Sequence, residues 1–187
     1  MGRIILTWGL VAGLIIIVGS SLSYALTGGA HHTANTALGF LLGYLVMLVA
    51  LSSVLVGVRQ YRDQIKGGVV KFLPAFGVGL CIALVASLAY VAMWEGYLAV
   101  THYRFMDEYT AQILASKRAA GVTGGAYAKL AAQMDAMRRD YANPFYRMAE
   151  TFTEIAPVGL VVALVTAILL RNPRFLPAKT PALMARA

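Results

Sequence analysis

The sequence is poor in charge. Asp, Glu, Lys and Arg make up only 13% of its 187 residues, about half the share of a soluble domain. Hydrophobic residues reach 59%, more than one soluble core of this size can bury. That excludes a soluble globule, and it excludes a disordered chain, which needs low hydrophobicity and high charge. Cysteine is limited to Cys81, so no intrachain disulfide framework holds the fold. Acids are scarce as well: 8 against 16 Lys and Arg, for a net charge of +8. Excess basic charge raises the question of nucleic acid, but no aromatic–basic interleaving or binding motif accompanies it. The expected partner is the lipid bilayer, with no nucleic acid. No zinc-protease helix, nucleophile elbow, phosphate loop or haem motif occurs. No catalytic residue and no cofactor is therefore expected, and the reading leans away from an enzyme.

What is present is long apolar runs. A membrane-crossing helix needs about 20 mostly apolar residues, and four segments supply them, at about residues 4–26, 37–58, 72–100 and 148–170. They are too long for strands and lack period-2 alternation. The expected class is an all-α membrane protein with four transmembrane helices. The first run has one basic residue before it, Arg3, and outlasts a signal-peptide core, so it reads as a span.

Lys and Arg set orientation. Residues 27–36 contain none, only His31 and His32, which read as a wet loop feature. Residues 59–71 contain Arg59, Arg62, Lys66 and Lys71, and the tail contains Arg171, Arg174, Lys179 and Arg186. Both termini are expected to be cytoplasmic. Residues 101–147 then lie outside despite their own basic residues, which Asp107, Glu108, Asp135 and Asp140 partly balance.

Helices in lipid approach through small residues. Gly9 and Gly13, Gly39 and Gly43, Ala83 and Ser87, and Gly159, Ala163 and Ala167 form such sets, read as packing within the chain. Between the third and fourth spans, His102, Met106, Tyr109 and Ile113 make one helical stripe. Tyr127, Leu130, Met134, Met137 and Tyr141 make a second, and Gly121 to Gly125 separates the two. The reading is an external amphipathic helical hairpin over 101–147, its first arm continuous with the third span. Asn143 and Pro144 fit the cap and first position of the next helix. Residues 173–187, with Pro173, Pro177 and Pro181, read as a disordered cytoplasmic tail, and residues 1–172 as one transmembrane domain.

Ionisable groups within spans are functional candidates by default. Here they are Glu95, Glu150 and Glu154. Arg147 lies three residues before Glu150, within helical pairing reach. Glu95 and Glu154 are expected at similar depth, where one proton or a bridging cation would relieve their repulsion. His102, seven residues after Glu95, would complete a metal site with Glu95 and Glu154. The competing reading is structural: salt bridges and caps made by Arg104 and Arg147. Pro157 leaves the carbonyl of Thr153 without its helical donor.

Gln60-Tyr61-Arg62-Asp63, Trp94-Glu95, Phe105-Met106, Tyr109, Asn143-Pro144, Thr151-Phe152, Glu154-Ile155 and Pro157-Val158-Gly159-Leu160 occur in an order that resembles the bacterial membrane family named domain of unknown function 4199. The resemblance covers about residues 1–172. It implies four spans with an exterior helical insertion in a bacterial inner membrane, and it carries no activity or site residues. Three readings stand. The first is an accessory or scaffolding protein that binds a protein partner through the hairpin. The second is a proton- or cation-coupled protein using the carboxylates, which requires a homo-oligomer because four spans rarely enclose a path alone. The third is a metal-dependent membrane enzyme.

Overall fold

The computed structural model describes residues 1–26 and 37–178, and for residues 20–26, 37–40 and 42 the backbone alone. Six helices follow in order: α1 (Gly2–Leu26), α2 (Ala37–Ile65), α3 (Phe72–Val100), α4 (Phe105–Ala119), α5 (Gly124–Ala142) and α6 (Pro144–Leu170). Among the described residues there is no strand. Helices α1, α2, α3 and α6 are long and apolar enough to cross a membrane. Their exposed residues say the same. Leu80, Leu84 and Leu88 on α3, and Leu160, Leu164 and Ile168 on α6, recur at four-residue spacing on open faces. Continuous apolar surface of this kind requires lipid around it.

The residues fall into two compact units. One comprises Met1–Ile16, Met47–Ala89 and Ile155–Ala187, the other Ile17–Val46 and Tyr90–Glu154. In the first unit, small residues set the helix spacing. A Cβ on Gly9 would lie 2.5 Å from the Val85 Cβ, and one on Gly13 2.5 Å from the Ala89 Cβ, so α1 meets α3 directly. Gly159 faces Ala83, and Gly79 faces Ala163, so α3 and α6 interlock through residues on both sides. Ile16, Leu51, Val54, Ile82, Ile155 and Leu170 fill the spaces between. Gly43 behaves otherwise, with nothing described within 4 Å of its Cβ position. The surroundings of Gly39, and His31 and His32 altogether, lie outside the described residues.

In the second unit, α4 and α5 pack side by side. Asp107 at the start of α4 pairs with Arg138 near the end of α5, 3.3 Å apart. Arg118 at the far end of α4 sits 5.9 Å from the Tyr127 ring centroid at the start of α5. Met106 and Met134 are the buried members of the two apolar stripes.

Three boundaries differ from expectation. Helix α2 runs on to Ile65 instead of stopping at 58. Its basic turn is helical, with Arg59 and Asp63 paired at 3.6 Å one turn apart, and Gly67 at φ 66° follows the helix. The third span does not continue into the next helix. Residues 101–104 form a turn in which His102 and Tyr103 both adopt the left-handed conformation, at φ 55° and 56°. Tyr103 N donates to the Leu98 carbonyl at 2.8 Å, and His102 N to that of Ala99 at 3.2 Å. This is a Schellman closure with histidine where glycine is usual. The same pattern ends α4, where Gly121 takes the equivalent place at φ 84°. Lastly, residues 173–178, expected to be disordered, are held against the end of α2. The Arg62 guanidinium donates to the carbonyls of Phe175 and Leu176. Residues 179–187 lie outside the described residues.

The glycine contacts yield a test. Gly9→Val is expected to destabilise the protein by roughly 1–3 kcal/mol, the cost of overpacking a close contact. Gly43→Ala is expected to change it by less than about 0.5 kcal/mol. Thermal unfolding in detergent micelles compares the two.

Candidate functional site

The candidate residues gather around the Val100 end of α3 and the start of α6. Asn143 caps α6: its side-chain oxygen accepts from Phe145 N at 3.0 Å, with Pro144 at the first position. Arg147 N donates to the Asn143 carbonyl at 3.1 Å in the first helical turn. The cap thus sets the rotation of α6 and aims Arg147 at α3.

Arg147 pairs there with Glu95, and not with its near neighbour Glu150. Its Nε lies 2.6 Å from Glu95 Oε1 and its Nη2 2.8 Å from Oε2, a two-point fork. Its Nη1 donates to the Tyr141 carbonyl at 3.2 Å. The guanidinium lies 5.0 Å from the Tyr103 ring centroid and 5.9 Å from that of Tyr141. The side chain is 7% exposed, against 21% for Glu95. Two charges this far from water lose several kcal/mol of hydration each. The fork, the carbonyl and the two rings are what offset that loss.

An aromatic group continues the site. Trp94 Nε1 donates to the Tyr141 hydroxyl at 2.7 Å. The Trp94 ring stacks on Tyr97 at 5.3 Å and meets Phe105 edge-on at 4.9 Å. Phe105 in turn stacks on Tyr109 at 6.1 Å. Burial raises the pKa of the Tyr141 phenol, while the Trp94 hydrogen bond and the Arg147 charge oppose the shift. Tyr141 is thus a neutral phenol that accepts from Trp94 while its carbonyl accepts from Arg147.

Glu154 does not share the partner of Glu95. Its Oε2 accepts from the Tyr90 hydroxyl at 3.3 Å. Tyr90 precedes Glu95 by five residues on α3, about 7 Å of helix rise. Glu95 and Glu154 thus have different described partners, Arg147 and Tyr90. Glu150 and Glu154 lie on one exposed face of α6, beside Thr153. Among the described residues neither has a salt bridge. Arg104 is exposed, and its Nε donates to the Thr101 carbonyl of its own turn, at 3.5 Å. It shares a cleft of about 280 Å³ with Tyr97, Val100, Thr101, Phe105 and Glu108. His102 sits on the left-handed turn, because the helix that would have placed it above Glu95 ends at Val100. Among the described residues, no three His, Cys, Asp or Glu side chains converge as a metal site would need.

Sequence reasoning missed Tyr103 and Tyr141 as walls of the ion pair. Tyr141 was legible only as the last member of an apolar stripe. The place of Tyr103 over the ion pair was hidden, because it depends on the left-handed turn.

Fold and site together define a multi-pass helical membrane protein in which a largely buried charge pair, Glu95 and Arg147, joins two of the apolar helices. The chain belongs to the family described as protein of unknown function (DUF4199), whose model matches residues 7–172. No curated protein and no solved structure matches it.

If the fork is the main interaction here, Glu95→Gln and Arg147→Ala should each destabilise by about 3 kcal/mol, since each strands a partly buried partner. Glu95→Leu combined with Arg147→Met should recover much of that loss. A double-mutant cycle on melting temperature checks the coupling. Additive losses would show that the two residues act separately.

Proposed function

We propose that the protein is an accessory or scaffolding component of a bacterial inner membrane, without catalytic activity. In this reading both termini are cytoplasmic. Helices α4 and α5 form a hairpin outside the bilayer that binds a protein partner. The Lys and Arg distribution supports the orientation: residues 27–36 have none, and residues 59–71 and the tail have four each.

The observation that carries the reading is the Glu95–Arg147 fork. A carboxylate already neutralised by a two-point fork has less attraction left for a proton or another cation. Both oxygens of Glu95 accept from one guanidinium, which also donates to the Tyr141 carbonyl near the end of α5. The polar chemistry at this place holds α5 and α6 in a set orientation to the end of α3. That serves a rigid docking element more than a moving ion. Met137, exposed on the otherwise inward stripe of α5, is an available contact point.

A photo-crosslinker at Met137, in native membranes, is expected to give one discrete protein adduct. A crosslinker at Leu84, on the open apolar face of α3, is expected to give none. Absence of any adduct from Met137 would sink the scaffolding reading.

A second reading rests on Glu154. It is an ionisable group in a span, exposed, with a tyrosine as its described partner. It supports proton or cation coupling in a homo-oligomer that covers this face. Glu154→Gln would then abolish ion flux into proteoliposomes while leaving the melting temperature unchanged. Retained flux, or lost stability, would count against coupling.

A further inference from the structure

Arg62 is the largest fully buried side chain among the described residues, at 0% exposure. The rule that places arginines at a membrane rim predicts a side chain reaching water or headgroups. Arg62 instead turns inward and binds three oxygens. Its Nε donates to Asp63 Oδ1 at 2.7 Å, its Nη1 to the Phe175 carbonyl at 3.0 Å and its Nη2 to the Leu176 carbonyl. The carboxylate is shared with Arg59, 3.6 Å away. Two of the three acceptors are therefore neutral main-chain groups that follow α6.

The backbone around this fork is built to match. Leu176 adopts φ 48°, which costs a non-glycine residue about 1 kcal/mol or more. In an extended segment successive carbonyls point to opposite sides. The left-handed residue is what lets two consecutive carbonyls face one guanidinium. On the receiving side, the Arg62 carbonyl accepts from Lys66 N at 3.2 Å and from Gly68 N at 3.0 Å, closing α2. Gly68, at φ 94°, passes so near the tail that a Cβ there would sit 3.1 Å from the Ala178 Cβ.

We propose that Arg62 is a binding site for main-chain carbonyls and that the segment after α6 fills it as a latch. The latch fastens residues 172–178 over the α2–α3 connection. Its opening exposes the guanidinium fork, and its closure hides it. Asp63 keeps the arginine oriented in both conditions.

Arg62→Lys tests the fork. It keeps the positive charge that orientation needs but replaces a planar set of donors by a point charge. In the full-length protein in detergent, trypsin cleavage after Arg174 is expected to rise roughly tenfold or more, the population shift for losing hydrogen bonds to a charged group. An unchanged cleavage rate with intact melting would overturn the assignment. A second measurement leaves Arg62 in place, in case the substitution prevents folding. A spin label on Arg174→Cys, in a Cys81→Ser background, is expected to show restricted motion. A freely tumbling label would show that no latch is closed.

Discussion

The Val100 end of α3 depends on one interaction, the fork between Arg147 and Glu95. A guanidinium offers five donors in a plane, and a carboxylate can take two of them side by side. Here the third direction is used by the Tyr141 carbonyl, so a single side chain on α6 fixes both α3 and the end of α5. The arrangement is demanding. Removing the pair from water is costly, and it is stable only while its remaining surfaces are covered. Tyr103 and Tyr141 supply that cover with their rings. This gives a physical reason for the turn at residues 101–104. Two successive left-handed residues without glycine are strained, and such strain persists where the surroundings over-determine it. Here the turn places Tyr103 over the charge.

The spans were legible because apolar length is a summed property, insensitive to any one contact. The start of α6 was legible for a local reason, since a cap needs only Asn143, Pro144 and the next residue's amide. The partner of Arg147 was not. Glu150 is three residues away, whereas Glu95 is 52 residues earlier in the chain. Local spacing favours the first, and the three-dimensional path of α3 and α6 decides for the second. The break after Val100 was hidden for a different reason. Gly121 advertises the closure of α4, but His102 makes the same closure without a glycine. Once the helix stops there, the projected face shared by Glu95 and His102 no longer exists. Arg62 was read as one charge among several at a rim, because burial cannot be seen in a count of basic residues.

Arg147 and Arg62 show two ways of burying the same side chain. Arg147 meets a carboxylate through two bonds and aromatic faces through its plane. Arg62 meets a carboxylate through one bond, and two peptide carbonyls occupy the rest of its fork. The first joins three helices and leaves little of the cation for another ligand. The second holds an irregular segment whose residues are mostly exposed. Segments of that kind open more readily than packed helices. The same chemistry thus gives a rigid joint in one unit and a releasable one in the other.

Glu154 fits neither pattern. It lies in a span, on an exposed face, with Glu150 one turn earlier and a tyrosine hydroxyl as its described donor. A charged group facing lipid costs about 2.5–3.5 kcal/mol near the bilayer centre and less towards the edge. A purely structural role would be better served by a serine or glutamine, which could accept from Tyr90 without that cost. The scaffolding reading accounts for Glu95 and Arg147 completely, yet it gives Glu154 nothing to do unless a partner covers that face. The coupling reading accounts for Glu154 and requires a second copy for the same reason. Both lead to the open face of α6, so what lies against Glu150 and Glu154 in the membrane decides between them.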